Sequence, residues 1–61
     1  MSILTVRTAL KEAGIAGADT ATMALGPGET QVYTVGGQQV IRPKGESSGA
    51  SARAIVAALK P

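Results

Sequence analysis

Thr30-Gln31-Val32-Tyr33-Thr34-Val35-Gly36-Gly37-Gln38-Gln39-Val40-Ile41-Arg42 is the stretch that decides the fold. A Gly-Gly pair between two alternating runs predicts a two-residue hairpin turn. Type I′ geometry needs positive φ at both central residues, and glycine supplies it without strain. The turn then sets the register. Val35 falls opposite Gln38, Thr34 opposite Gln39, Tyr33 opposite Val40, Val32 opposite Ile41 and Gln31 opposite Arg42. Opposed residues share a face. One face therefore carries Tyr33, Val35 and Val40, and the other carries Val32 and Ile41. A sheet with one face in water alternates cleanly between apolar and polar. This hairpin is apolar on both faces, which points to a second contact. All five residues are candidates for a protein interface. If Tyr33, Val35 and Val40 lie under helices, the exposed pair is Val32 and Ile41.

Outward from the hairpin, the chain reads as two helices and one more strand. Ile3, Val6, Leu10 and Ala13 recur at helical spacing, so a helix is expected from Ser2 or Thr5 to Ala13. Gly14 ends it, with Ile15 folding back onto Leu10 in a Schellman closure. Thr20–Leu25 alternates and is expected to be a strand, with a single helical turn capped by Asp19 as the alternative. Pro27-Gly28 suits a type II turn into the hairpin. Pro43 ends the hairpin. Ala52, Ile55, Val56 and Leu59 form the apolar stripe of a last helix from about Ser48 to Lys60. The expected fold is α+β: a helix, a three-stranded antiparallel meander folded at Gly36-Gly37, and a C-terminal helix. Residues 1–61 form a single small domain.

Composition narrows the chemistry. The 61 residues include no Cys and no His, and one aromatic, Tyr33. Disulfides are excluded, and the usual zinc and copper sites lack their ligands. Ser–His and Cys–His catalysis cannot be assembled. Glu12, Asp19, Glu29 and Glu46 are the only carboxylates, and no spacing pairs them for acid–base work. A Ser–Lys pair from Lys44 with Ser47 or Ser51 matches no motif, and the Gly-Lys-Ser order of a nucleotide loop is absent. An enzyme is not expected, and neither is a cofactor.

The net charge of +2 is uneven. Residues 1–30 balance to −1 and residues 31–61 to +3. Arg42, Lys44, Ser48, Arg53 and Lys60 are therefore the candidates for phosphate contacts, with four cations giving a salt slope of about −3 to −4. Lys44 to Ser51 also leads into a helix N-terminus, where free N–H groups favour anions, although Glu46 opposes one. A lone Tyr33 does not make the aromatic platform of single-strand binders. Ala50, Ala54 and Ala57 form a small-residue stripe suited to close helix packing.

Leu10-Lys11-Glu12-Ala13-Gly14-Ile15, Val35-Gly36-Gly37-Gln38-Gln39-Val40-Ile41-Arg42-Pro43 and Ala52-Arg53-Ala54-Ile55-Val56 together resemble the HicA-type RNA-cleaving toxins. That resemblance implies a double-stranded-RNA-binding-like fold. The family carries its catalytic His in a Gly-Ser-His stretch at the start of the second strand. This chain has Gly28-Glu29-Thr30-Gln31 there, so the resemblance carries the fold and not the reaction.

The expected function is a non-enzymatic interaction protein. It binds a protein partner or assembles with itself, as a homodimer or larger, in the manner of an accessory subunit. A phage or mobile-element setting is consistent with this. Phosphate-backbone binding to nucleic acid is the alternative. No stretch reaches the length of a membrane span, and the start Met1-Ser2-Ile3-Leu4 lacks a signal-peptide pattern, so a cytoplasmic location, in a cell or an infected host cell, is the expectation.

Overall fold

In a computed structural model, described over residues 3–60, the hairpin adopts the register that its turn dictates. Strand β2 (Thr30–Val35) pairs antiparallel with β3 (Gln38–Pro43), with Val35 opposite Gln38 and each pair following in step to Thr30 opposite Pro43. Gly36 and Gly37 have φ of 56° and 82°, both in the left-handed region. β1 (Thr22–Leu25) lies on the other side of β2, giving the order β1-β2-β3. Its register runs from Thr22 opposite Thr34 to Leu25 opposite Gln31. Gly28, at φ 65°, occupies the turn between β1 and β2.

Helices α1 (Ile3–Glu12) and α2 (Ser48–Leu59) pack side by side on one face of this sheet. The first helix ends in the Schellman closure. The Gly14 amide donates to the Lys11 carbonyl and the Ile15 amide to that of Leu10, both at 3.0 Å. Ile15 then packs against the core. α2 begins with Ser47, whose Oγ accepts from the Ala50 amide at 3.2 Å. Its expected stripe is the one that is buried, with Ala52 and Ile55 fully covered and Val56 and Leu59 half-covered. Val6, Leu10, Tyr33, Val35 and Ile55 are the large core side chains. Burial stabilises each by about 1.5–3 kcal/mol relative to exposure. The start at Ser2 considered for the first helix lies outside the described residues.

The first strand is shorter than its alternation predicts. It begins at Thr22 because Ala18–Thr20 forms a 3-10 turn instead. The Thr20 amide donates to Gly17 and the Ala21 amide to Ala18, which uses up the backbone groups that a longer strand would need. This turn places Ala18 and Ala21 in the core. Thr22–Leu25 is therefore strand and not the Asp19-capped helical turn considered as the alternative; the short 3-10 turn begins after Gly17, with no side-chain cap.

Gly17 links the two ends of the sheet architecture. Its φ is 82°, and a Cβ there would stand 2.6 Å from both N and Cα of Gly36. The loop after α1 therefore seats directly on the hairpin turn, backbone against backbone. No flexible side chain is available to yield. Gly28 has a similar φ but open space around it. Gly17→Ala should cost about 2–5 kcal/mol, the sum of left-handed strain and overpacking. Gly28→Ala should cost only the strain, about 1–2 kcal/mol. Urea denaturation of both variants checks this, and equal losses would contradict the close approach.

Candidate interaction surface

The alternation of each strand sorts side chains between the helix-covered face and the outer face. Gln31, Tyr33 and Val35 point under the helices, and Tyr33 and Val35 are 0% and 1% exposed. The Tyr33 hydroxyl donates to Gln31 Oε1 at 3.4 Å, within the core. Val40 is half-buried on the same side. Tyr33 and Val35 are therefore core residues and not interface residues, and Val40 only borders the surface. The reason is that both helices chose this face. The apolar pair on the opposite face is Val32 and Ile41.

Those two sit on an outer face without a single charged side chain. β1 contributes Thr22 and Ala24, β2 contributes Thr30, Val32 and Thr34, and β3 contributes Gln39, Ile41 and Pro43. Ile41 is 60% exposed at the side of the sheet, while Val32 is half-buried in the middle strand. The sequence alone does not single out Thr22 and Ala24. Their membership follows from the β1–β2 register, and no turn signal in the sequence sets that register as tightly as Gly36-Gly37 sets the other.

The candidate phosphate contacts are dispersed. Arg42 is on the helix side and is held by Glu46, with Nε and Nη2 donating at 2.7 and 2.6 Å to its two oxygens. Lys44 lies 4.0 Å from Glu29 in an exposed pair. Arg53 and Lys60 are exposed and form no ion pair among the described residues. Ser48 is half-buried in the first turn of α2. Lys11 pairs with Asp19 at 3.1 Å. Arg7 Nε donates to the Ala21 carbonyl at 2.8 Å.

Glu46 organises the entry to α2. It accepts the Arg42 guanidinium through both oxygens, and Ser51 Oγ donates to its Oε1 at 2.9 Å. Ser51 is fully buried, so this bond satisfies a hydroxyl in the core. The helix N-terminus thus holds an anion of the chain's own. The Arg42 hydrogen bond draws the Glu46 carboxyl from its usual 4.5 down to about 2, against the opposing effect of burial and with the help of Ser51. Arg42 is raised in turn, chiefly by the same hydrogen bond.

A groove of about 410 Å³ runs between the helices, lined by Thr5, Ala9, Glu12, Ala52, Arg53 and Val56 among others. Ala57 borders it, while Ala50 and Ala54 are half-buried. No three metal-binding side chains converge among the described residues. No described helix is long and apolar enough to cross a membrane. Compared with known protein families, curated proteins and solved structures, the chain matches none.

The Glu46 cluster generates a pH dependence. Its folded pKa lies below the unfolded value, so its stabilisation is fully present above about pH 4.5 and is lost as pH falls towards 2. Glu46→Gln should lower the melting temperature at pH 7. The gap between variant and parent should close between pH 4.5 and 2. A gap that stays constant across that range would contradict the cluster.

Proposed function

We propose that this protein is a non-enzymatic interaction module that docks on a protein partner through the outer face of its sheet. The observation that carries this reading is the absence of charge from that face. The chain has ten Lys, Arg, Asp and Glu side chains, and none of them falls on the eight outward strand positions. A sheet face that stays in water has no reason to avoid them, whereas the centre of a protein interface is depleted in charge. Val32 supplies an apolar centre and Ile41 an apolar edge, and the threonines and Gln39 supply hydrogen-bonding groups around them.

The side chains outside the face support a binding role over a catalytic one. Asp19 and Glu46 are engaged by Lys11 and by Arg42 with Ser51, and Glu29 lies beside Lys44. Phosphate-backbone binding is the weaker reading. Of the four cations proposed for it, Arg42 and Lys44 are ion-paired within the chain, and Arg53 also acts on Glu46.

Two measurements test the reading. The parent chain, Ile41→Lys and Arg53→Glu are immobilised and challenged with extract of the native host. The reading expects a protein retained by the parent and by Arg53→Glu, and lost at least tenfold with Ile41→Lys. Retention by Ile41→Lys would overturn it. Duplex RNA is then titrated across a range of salt. With Arg42 and Lys44 ion-paired, contacts through Arg53 and Lys60 alone would give a slope of log affinity on log salt of about −2. A slope of −4 or steeper, abolished by Arg53→Glu, would instead favour phosphate binding.

A further inference from the structure

We propose that two copies of this chain join edge to edge through β3, antiparallel and with Val40 on the two-fold axis, to make one six-stranded sheet. The proposal starts from the direction of the backbone groups on β3. The Lys44 amide donates to the Glu29 carbonyl at 2.9 Å. In an antiparallel ladder, hydrogen-bonded pairs recur every second residue. Counting back from Glu29 and Lys44 makes Gln31–Arg42, Tyr33–Val40 and Val35–Gln38 the bonded pairs. Gln39 and Ile41 then turn their N–H and C=O groups away from β2. The other side of the sheet confirms the phase, because the Gly26 amide donates to the Thr30 carbonyl at 3.0 Å. That makes Thr30, Val32 and Thr34 the residues of β2 that bond to β1.

β3 is an edge strand in the order β1-β2-β3. Among the described residues nothing caps the outward groups of Gln39 and Ile41. The opposite edge differs. There the strand is four residues long, and just before it Arg7 occupies the Ala21 carbonyl. Natural edges are usually blunted by charge, proline, a bulge or shortness. Gln38-Gln39-Val40-Ile41 contains no charge and no proline. Pro43 stands only at the far end of the strand, and its carbonyl is taken by the Glu46 amide at 3.1 Å.

A second copy is the occupant that these features fit. With Val40 on the axis, Gln39 of one chain meets Ile41 of the other, and each such pair exchanges two N–H···O=C bonds. All four outward donor and acceptor sets on the two chains are then used. No charged side chain is set against its own copy, since Arg42 falls opposite Gln38 of the other chain and is neutralised by Glu46. The Val40 side chains meet across the axis as a non-hydrogen-bonded pair, where Cα atoms approach to about 4.5 Å. The two outer faces merge into one uncharged surface twice as wide. This goes beyond the docking role of that face and does not depend on it.

The native absence of cysteine allows a direct map. Single variants Val40→Cys and Thr34→Cys are left under mild oxidation at 100 µM and run without reductant. The proposal expects Val40→Cys to form a covalent dimer, because its Cα separation across the axis suits a disulfide. Thr34→Cys lies mid-sheet on the outer face and should stay monomeric. Sedimentation of the unmodified chain should show mass rising with concentration from 6.1 kDa towards twice that value. Gln39→Pro removes an outward N–H that β2 does not use, and should raise the dissociation constant at least tenfold. Val32→Lys, on the middle strand, should leave it within twofold while abolishing any docking on the outer face. A monomer at 100 µM would overturn the proposal, as would cross-linking of Thr34→Cys with none at Val40→Cys. If Gln39→Pro fails to fold by circular dichroism, the cysteine map decides the matter alone.

Discussion

Two consecutive glycines in the left-handed region set every later choice in this molecule. Gly36 and Gly37 permit a turn of only two residues, and so short a turn leaves the strands a single register. That register puts Tyr33 and Val35 on one side and Val32 on the other. Both helices then cover the side with the tyrosine, because it offers the larger apolar area. The loop after α1 reinforces the turn from outside, where Gly17 comes within backbone contact of Gly36. A slip by one residue would send Tyr33 into water and break that contact at the same time.

Charge is distributed around this frame in a way that separates structure from surface. The one charged residue within a strand, Arg42, falls on the helix side and is matched there by Glu46. Glu46 in turn satisfies the buried Ser51 at the start of α2. One carboxylate thus joins the end of β3, the following loop and the last helix. The remaining charges lie on the helices, on the 3-10 turn and in the loops. The outer face is left with hydroxyl, amide and aliphatic groups, and with an edge strand whose backbone is open. Both properties favour contact with another polypeptide over contact with phosphates.

Much of the fold is legible in the amino-acid order because its signals are local. The hairpin register needs only the Gly-Gly pair. The Schellman closure needs Gly14 and Ile15, and the buried stripe of α2 needs its own spacing. The features that escape are those made by residues far apart in the chain. Arg7 reaches the Ala21 carbonyl across fourteen positions, and Gly17 meets Gly36 across nineteen. The 3-10 turn at Ala18–Thr20 prevails over the alternation of Thr20–Leu25 because it seats Ala18 and Ala21 in the core. For the candidate surface, the sequence shows that the hairpin is apolar on both sides, but not which side the helices take. Tyr33 and Val35 are indistinguishable from interface residues until that is known. Ser51 looks like any serine of a first helical turn until Glu46 is seen to fold back onto it.

The register at Gly36-Gly37 carries the whole account, and nuclear Overhauser contacts between strands read it directly. In an antiparallel sheet, α-protons approach closely only at non-hydrogen-bonded pairs. The account predicts strong Hα–Hα contacts between Thr34 and Gln39 and between Val32 and Ile41. Strong contacts between Thr34 and Val40, or between Val32 and Arg42, would reveal a slipped register and contradict it.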